Sequence, residues 1–299
     1  MAKMSYEFRP SKAVTRRLFV DLLRRLAPVA ALPDYRYVGF GALEFLDFEA
    51  VHRQLGITTM TSIEGDTAGI ERYRWNRPFN GIEVLPGRAS TLLSTLDWAG
   101  LAIVWLDYTS ALTTEVIGDV ETLARVLIPG SILAITLNAH PPKLGERRTA
   151  LESAISPERV PIGVTDNKLG EWGLADVQYT VLNAVIESEC GGRSDAGTWR
   201  QLLNVNYQDR ARMQMLAGVI GAPAVNRGLD QCRFDDLDTV RTGREPLRLQ
   251  VPLLTARERG WLDQYLPVAA GADLPALPGV GGQDVAAYVE VYRYLEHAS

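Results

Sequence analysis

Five short strand-like runs alternate with helix-like segments in the first half of the chain, and this alternation limits the possible folds more than any other feature. The runs are residues 35–40, 57–63, 81–85, 101–106 and 131–137. Residues 101–106 are continuously apolar between turn residues, and residues 131–137 form a similar run, which is typical of strands buried on both faces of a parallel sheet. With helices between them, they predict right-handed β-α-β units and an α/β fold with a doubly wound, mostly parallel sheet.

The helices that complete this pattern have the spacing of amphipathic segments. They are predicted over residues 43–55, 66–75, 89–96 and 116–127. An earlier helix begins at Ser11, a residue type that often caps a helix N-terminus, and its apolar stripe leaves Arg16 and Arg17 largely on another side. We expect those arginines to form a solvated basic face.

The second half of the chain departs from this alternation. Residues 175–187 have helical spacing, and residues 202–207 and 213–220 are two β-prone runs around a short polar turn. The sequence therefore predicts a helix followed by a late antiparallel hairpin. Farther on, Thr255 and Glu258 have the spacing of a capping box, which predicts a helix from there to Tyr265.

Composition excludes several classes of protein. The 299 residues carry a net charge of -5, which disfavours a protein that coats nucleic acid, and no apolar run is long enough to cross a membrane. Cys190 and Cys232 are far apart, which argues against a disulfide framework. Because residues 1–10 also lack a secretory pattern, we expect a cytoplasmic protein.

Candidate ligand-binding residues follow the first two predicted strands. The segment Val38, Gly39, Phe40 and Gly41 makes a turn in which glycines let the backbone bend tightly and a ligand approach the main chain. Glu64 ends the second strand, where a carboxylate can accept hydrogen bonds from both hydroxyls of a ribose. These features lie at the same edge of the sheet and predict one nucleoside site. A turn without a ligand and a helix-capping carboxylate remain the alternatives.

A further candidate group follows the fourth strand. Asp107 and Tyr108 end that strand, and Asn138 and His140 follow the fifth. A carboxylate here can orient a substrate hydroxyl and accept its proton. Two scattered oxygen ligands make a poor metal site and the three histidines have no metal-binding spacing, so we expect no metal.

The ordered set of these motifs resembles the Rossmann-like, class I S-adenosylmethionine-dependent methyltransferases. The resemblance rests on the glycine turn of residues 38–42, Glu64, Asp107, and the Pro129-Gly130 pair before the fifth strand. Residues 35–41, 52–57, 62–64 and 105–108 are similar to a group of bacterial O-methyltransferases. Tyr37 and Leu43 depart from the family pattern, which usually has an acidic residue and a glycine there.

The resemblance implies a role for each candidate residue. Val38 to Gly41 would contact the methionine part of S-adenosylmethionine, and Glu64 would hold the ribose. Gly87 and Arg88 would border the adenine. Asp107 would touch the cofactor and, with Tyr108, would act in catalysis on a small-molecule or unknown acceptor.

The resemblance also organises the chain into four stretches. Residues 1–140 form the Rossmann-like cofactor-binding core, 141–200 a mainly helical insertion, 201–221 the hairpin that completes the sheet, and 222–299 a C-terminal extension. A non-catalytic module that binds a nucleotide or a partner protein remains an alternative, as does a dinucleotide oxidoreductase. A homo-oligomer also stays open.

Overall fold

The computed structural model describes residues 9–268 and 274–295. Eight strands form one sheet in the order β3-β2-β1-β4-β5-β7-β6-β8. Their bounds are β1 Arg36–Gly39, β2 Met60–Glu64, β3 Ile82–Pro86, β4 Ala102–Asp107, β5 Ile132–Asn138, β6 Thr198–Gln208, β7 Arg212–Gly221 and β8 Leu247–Leu249.

The sheet has the predicted mixture of parallel and antiparallel pairing. Strands β1 to β5 pair in parallel, whereas β7 runs antiparallel to both β5 and β6. Strand β8 adds a short parallel edge to β6. The doubly wound α/β fold with a late antiparallel hairpin is therefore confirmed. Strand β6 begins before the predicted hairpin, and a register shift between Gln201 and Leu203 interrupts its ladder.

Helices cover both faces of this sheet. Their bounds are α1 Pro10–Arg24, α2 Leu46–Leu55, α3 Ile70–Asn76, α4 Ala89–Leu92, α5 Thr114–Val126, α6 Arg147–Ile155, α7 Gly173–Gly191, α8 Asn226–Gln231, α9 Ala256–Asp263 and α10 Gly282–Val291. The capping box at Thr255 and Glu258 is present as predicted, although α9 ends before Tyr265. The division of the chain into four stretches stays a prediction.

Two boundaries differ from the predicted ones for local reasons. Helix α2 begins at Leu46 because Ala42 and Phe45, with φ of 51° and 49°, keep the preceding turn in the left-handed region. Helix α6 lies in the stretch predicted to be mainly helical but was not predicted as a separate helix, and only Leu151 and Ile155 on it are buried. Two buried residues are too few to produce a clear helical period in the sequence.

Alternate residues along each strand pack against different helix layers. Helices α1 and α2 share one core with sheet residues that include Trp105 and Tyr207. Helices α5 and α7 share the other core with residues that include Val104 and Leu106. This alternation follows from the two-residue period of a strand. In the described part of the chain, no helix is long and apolar enough to cross a membrane.

The start of α1 is held by the hairpin rather than by its own sequence. Arg9 occupies the N-cap position and makes no capping hydrogen bond with its side chain. Instead, the backbone N–H groups of Ser11 and Lys12 donate to the carboxylate of Asp209, at 2.9 and 3.1 Å. The prediction that Ser11 caps this helix is therefore wrong, since a distant carboxylate satisfies the terminal amides.

Candidate functional site

A cavity of about 650 Å³ opens beyond the carboxyl ends of β1, β2 and β4. Strand order changes direction between β1 and β4, and ligands in open α/β sheets bind at such switch points. The volume lies within the ~300–1,000 Å³ typical of small-molecule sites. This cavity is called the β1–β4 cavity below.

The β1–β4 cavity brings together most of the predicted site residues. They are Phe40, Gly41, Glu64, Gly87, Arg88, Asp107 and Tyr108. Val38 and Gly39 do not line it. Val38 is fully buried in the core shared with α5 and α7, and Gly39 pairs with Trp105 inside the sheet.

Glu64 fixes the turn after β1. Its Oε1 atom accepts hydrogen bonds from the Gly41 N–H at 2.9 Å and from the Ser62 hydroxyl at 2.6 Å. Burial raises the pKa of this carboxyl, although hydrogen bonds from Ser62, Gly41 and Ala42 act in the opposite direction. The glycine turn and the carboxylate thus meet at one wall of the cavity, and part of the carboxylate's capacity to accept hydrogen bonds is used inside the protein.

The two glycines of the turn are required by packing within the protein. A Cβ at Gly39 would lie 2.9 Å from the Trp105 carbonyl oxygen, and one at Gly41 would lie 2.4 Å from the Phe45 ring. Both distances are too short for a side chain. The neighbouring elements alone therefore explain glycine at these positions, and the two glycines do not by themselves distinguish a ligand site from a turn without a ligand.

Gly65 is a site residue that the sequence analysis missed. It lines the β1–β4 cavity directly after Glu64, and a Cβ added there would meet no atom within 4 Å. Its backbone has no left-handed φ, so conformation does not require glycine at this position. A larger side chain at Gly65 would fill the open space beside the cavity wall.

Helix α1 contributes a buried cation that the sequence analysis also missed. The Lys12 ammonium lies 2.5 Å from Asp107 Oδ1 and 4.8 Å from the centroid of the Trp105 ring. Lys12 is 5% exposed, so its charge is compensated by Asp107 rather than by water. The candidate carboxylate at the end of β4 is therefore one half of an ion pair.

A second ion pair lies one helical turn along α1. Arg16 contacts Asp47 of α2, and both side chains are largely buried and line the cavity. The prediction that Arg16 belongs to a solvated basic face is wrong, because helix packing brings it over the carboxyl edge of the sheet. The four-residue spacing of Lys12 and Arg16 was the available signal, since residues four apart share one face of a helix.

Tyr108 is tied to a carboxyl group on α5. Its hydroxyl donates a hydrogen bond of 2.5 Å to Asp119 Oδ2. Burial raises the pKa of Tyr108 and also raises the pKa of Asp119 to about 6. Tyr108 therefore stays protonated and serves as a donor. Its ring packs edge-on against Phe40, at 5.2 Å between centroids.

The remaining predicted residues lie at the rim or beyond it. Arg88 is largely exposed and lies 3.6 Å from Glu115 at the start of α5. Asn138 lies outside the β1–β4 cavity and accepts a hydrogen bond from the His140 N–H. Among the described residues, no group of three or more histidine, cysteine, aspartate or glutamate side chains could hold a metal ion.

This sheet order, with an antiparallel β7 and a cavity at the switch point, defines the class of Rossmann-like methyltransferases. Within that class, a family model described as "Putative O-methyltransferase" matches residues 4–297. The chain belongs to this family. A comparison with curated proteins gives no match.

Several solved structures are similar to the chain at low sequence identity. Trm1 from Pyrococcus horikoshii, in complex with S-adenosyl-L-methionine, is 15% identical; the match covers 87% of this chain and 72% of Trm1, with a TM-score of 0.48. An O-methyltransferase from Klebsiella pneumoniae, described as putative, is 14% identical over 74% of this chain and 84% of its own, with a TM-score of 0.41. LepI, in complex with S-adenosylhomocysteine and a substrate analogue, is 11% identical over 62% of this chain, with a TM-score of 0.36. The match spans only 43% of LepI.

Proposed function

We propose that the protein binds S-adenosylmethionine in the β1–β4 cavity and transfers its methyl group to an oxygen atom of an acceptor. The observation that carries this proposal is the meeting of the glycine turn, Glu64 and Asp107 around one cavity of about 650 Å³. Membership of an O-methyltransferase family supports it. When bound, S-adenosylmethionine supplies a methyl group on a sulfonium, which leaves as a neutral thioether.

The groups that line the cavity suit the separate parts of this cofactor. Glu64 lies where a ribose needs an acceptor for its hydroxyls, and the open space at Gly65 leaves room beside it. The amino-acid end of the cofactor carries both a carboxylate and an ammonium. Arg16 and Asp47 offer the complementary pair of charges, and a guanidinium binds a carboxylate through two parallel hydrogen bonds.

Asp107 is the residue placed to take the proton from the hydroxyl group of the acceptor. Its carboxylate lies at the end of β4 on the cavity wall, and Lys12 balances its charge. An acceptor hydroxyl that donates a hydrogen bond to Asp107 is held in place and can lose its proton as the methyl group arrives. Tyr108, protonated and bound to Asp119, orients the loop after β4.

A cytoplasmic location is part of the proposal. Cys190 and Cys232 are both buried free thiols, which suits a reducing compartment such as the cytoplasm. A small molecule is the acceptor class that a cavity of this volume suits best.

Isothermal titration calorimetry with S-adenosylhomocysteine tests the proposed function. We expect one site per chain, with S-adenosylmethionine competing for it and NAD binding far more weakly. The variant Asp107→Asn, which also leaves the Lys12 ammonium without its charge partner, should lose turnover. Preferential binding of NAD, or no binding of S-adenosylhomocysteine, would overturn the proposal.

A further inference from the structure

A second, smaller cavity meets the first at the end of β4. Its volume is about 190 Å³, and it is lined partly by the hairpin, through Tyr207 of β6 and Met213 of β7. Asn138, at the end of β5, also lines it. Four residues line both cavities: Lys12, Asp107, Tyr108 and Thr109. The Lys12–Asp107 ion pair therefore lies between the two cavities. The smaller one is called the hairpin cavity.

We propose that this hairpin cavity is the acceptor site, and that it takes a phenol built on a single aromatic ring. The inference rests on the proposed function, because a methyl group bound in the first cavity reaches an acceptor only across their shared wall. Asp107 is present on both sides of that wall. The methyl donor and the acceptor oxygen then meet at the same carboxylate.

The size of the hairpin cavity supports a single ring. An apolar cavity of about 150 Å³ accommodates benzene, so about 190 Å³ leaves room for one ring with a small substituent. Tyr108, Tyr207 and Met213 supply two aromatic surfaces and a thioether, all of which pack well against an aromatic ring.

Proton transfer favours a phenol over an aliphatic alcohol. A phenol has an ordinary pKa near ~10, whereas the pKa of an aliphatic hydroxyl is far higher and close to that of water. Donating the proton to a carboxylate is therefore much less costly for the phenol. During methyl transfer, the acceptor oxygen forms a bond to the methyl carbon, and the proton of the acceptor hydroxyl passes to Asp107. The electrons of the broken carbon–sulfur bond stay on sulfur.

Tyr207 provides an independent indication of a ligand. Its hydroxyl is buried and has no hydrogen-bond partner among the described residues. Burial, with the negative charges of Asp107 and Asp209 adding to it, raises the pKa of Tyr207, so the hydroxyl stays protonated. A buried donor without an acceptor is costly, and a polar group of a bound acceptor would relieve that cost.

A hydroxybenzoate is a soluble compound that carries a phenol on a single ring, and its carboxylate makes it easy to titrate in water.

The test uses the full chain and 4-hydroxybenzoate, with benzoate as the matched compound that lacks the hydroxyl. Protein saturated with S-adenosylhomocysteine is titrated with each compound, and protein with S-adenosylmethionine is assayed for methylated product by mass spectrometry. We expect binding of both compounds and methylation of 4-hydroxybenzoate alone. Benzyl alcohol, which carries an aliphatic hydroxyl, should not be methylated.

Two variants separate the hairpin cavity from the first one. Ala211→Phe fills the hairpin cavity from a residue that does not line the β1–β4 cavity. It should weaken 4-hydroxybenzoate binding roughly tenfold or more, the effect of overfilling a packed site, and leave the affinity for S-adenosylhomocysteine unchanged. Ala150→Phe, on the exposed side of α6, is the control and should change neither.

The outcomes distinguish the two proposals. If S-adenosylhomocysteine binds but 4-hydroxybenzoate is neither bound nor methylated, the acceptor proposal fails and the proposed function stands. Binding of 4-hydroxybenzoate that Ala211→Phe does not weaken would also overturn the acceptor proposal. If S-adenosylhomocysteine itself does not bind, both proposals fail.

Discussion

Glu64 connects the end of β2 to the turn after β1, so its loss has both a structural and a functional consequence. In Glu64→Ala, the buried Ser62 hydroxyl loses its acceptor, and the Gly41 N–H keeps only its hydrogen bond to Ser62 Oγ. We expect the free energy of unfolding to fall by about 1–3 kcal/mol. The affinity for S-adenosylhomocysteine should fall as well. Urea denaturation and calorimetry measure the two effects.

The control for this variant is Glu83→Ala on β3, whose side chain is exposed. It should leave both quantities nearly unchanged. A Glu64→Ala protein with wild-type stability would show that the turn does not depend on this carboxylate.

Gly65 allows a test of the cavity that does not disturb the packing. Gly65→Leu places a side chain where no atom lies within 4 Å of the Cβ position. We expect wild-type stability and an affinity for S-adenosylhomocysteine reduced roughly tenfold or more, since the leucine takes space in the site. Gly100→Leu, at an exposed glycine with similarly open surroundings, is the matched control. Equal affinities in the two variants would place the ligand elsewhere.

At the residue scale, some positions of the site can be predicted from the sequence and others cannot. Glu64 and Asp107 were predictable because the carboxyl ends of parallel strands meet at one edge. Lys12 and Arg16 were not, since they reach that edge only through the packing of α1 against the sheet, far from β4 in sequence. Gly39 and Gly41 show a different limit. A glycine indicates that another group lies close to the backbone, but not whether that group belongs to the protein or to a ligand.

Helix α1 is the element that joins the site to the hairpin. Its first amides are held by Asp209, which follows β6, and its side chains Lys12 and Arg16 line the β1–β4 cavity. In addition, Phe19 packs edge-on against Trp105 of β4, at 5.0 Å between ring centroids. The position of two cations in the site therefore depends on the turn between β6 and β7.

Variants of the Arg16–Asp47 pair distinguish its role in stability from its role in ligand binding. Arg16→Met leaves the Asp47 carboxylate largely buried without its partner, which should cost about 2–5 kcal/mol of unfolding free energy. The double variant Arg16→Met with Asp47→Leu removes both charges and should recover most of that loss. Its affinity for S-adenosylhomocysteine should stay low, because the charges proposed to bind the cofactor's amino-acid end are gone.

Chemical denaturation and calorimetry on the two variants give the result. The exposed pair Arg53 and Glu49 on α2 is the control, since removing it should change neither stability nor affinity appreciably. Recovery of full affinity in the double variant would show that the pair is purely structural.

At the element scale, predictions succeeded where an element is buried continuously. The five parallel strands were found because each is a β-prone or apolar run between helix-like segments, and α1 because Val14, Leu18 and Leu22 recur every four residues and are fully buried. Where contacts are sparse, prediction failed: α6 buries two residues and was missed. The first residues of α2 were predicted too early because turn conformation, which has no period, governs residues 40–45.

At the scale of the whole molecule, the proposed site takes residues from both layers of helices, which meet at the carboxyl edge of the sheet. Lys12 and Arg16 come from the layer of α1 and α2, whereas Asp119 comes from the layer of α5 and α7. All three line the same cavity. Ligand binding there should therefore stabilise the entire fold, in proportion to the logarithm of ligand concentration over its dissociation constant.

Asp119 makes the stability of the whole protein depend on pH in a direction that can be stated. Burial raises the pKa of this carboxyl to about 6, against an ordinary value of 3.8. Between these values the folded protein holds a proton that the unfolded chain has released, so the contribution of this group to the free energy of unfolding decreases as pH rises. Asp119→Asn keeps an acceptor for the Tyr108 hydroxyl but cannot ionise. The stability of the wild type relative to Asp119→Asn should therefore fall from about pH 4 to about pH 7, as measured by urea denaturation at several pH values. A difference between the two proteins that stays constant over this range would mean that the Asp119 carboxyl is already ionised in the folded protein near its ordinary pKa.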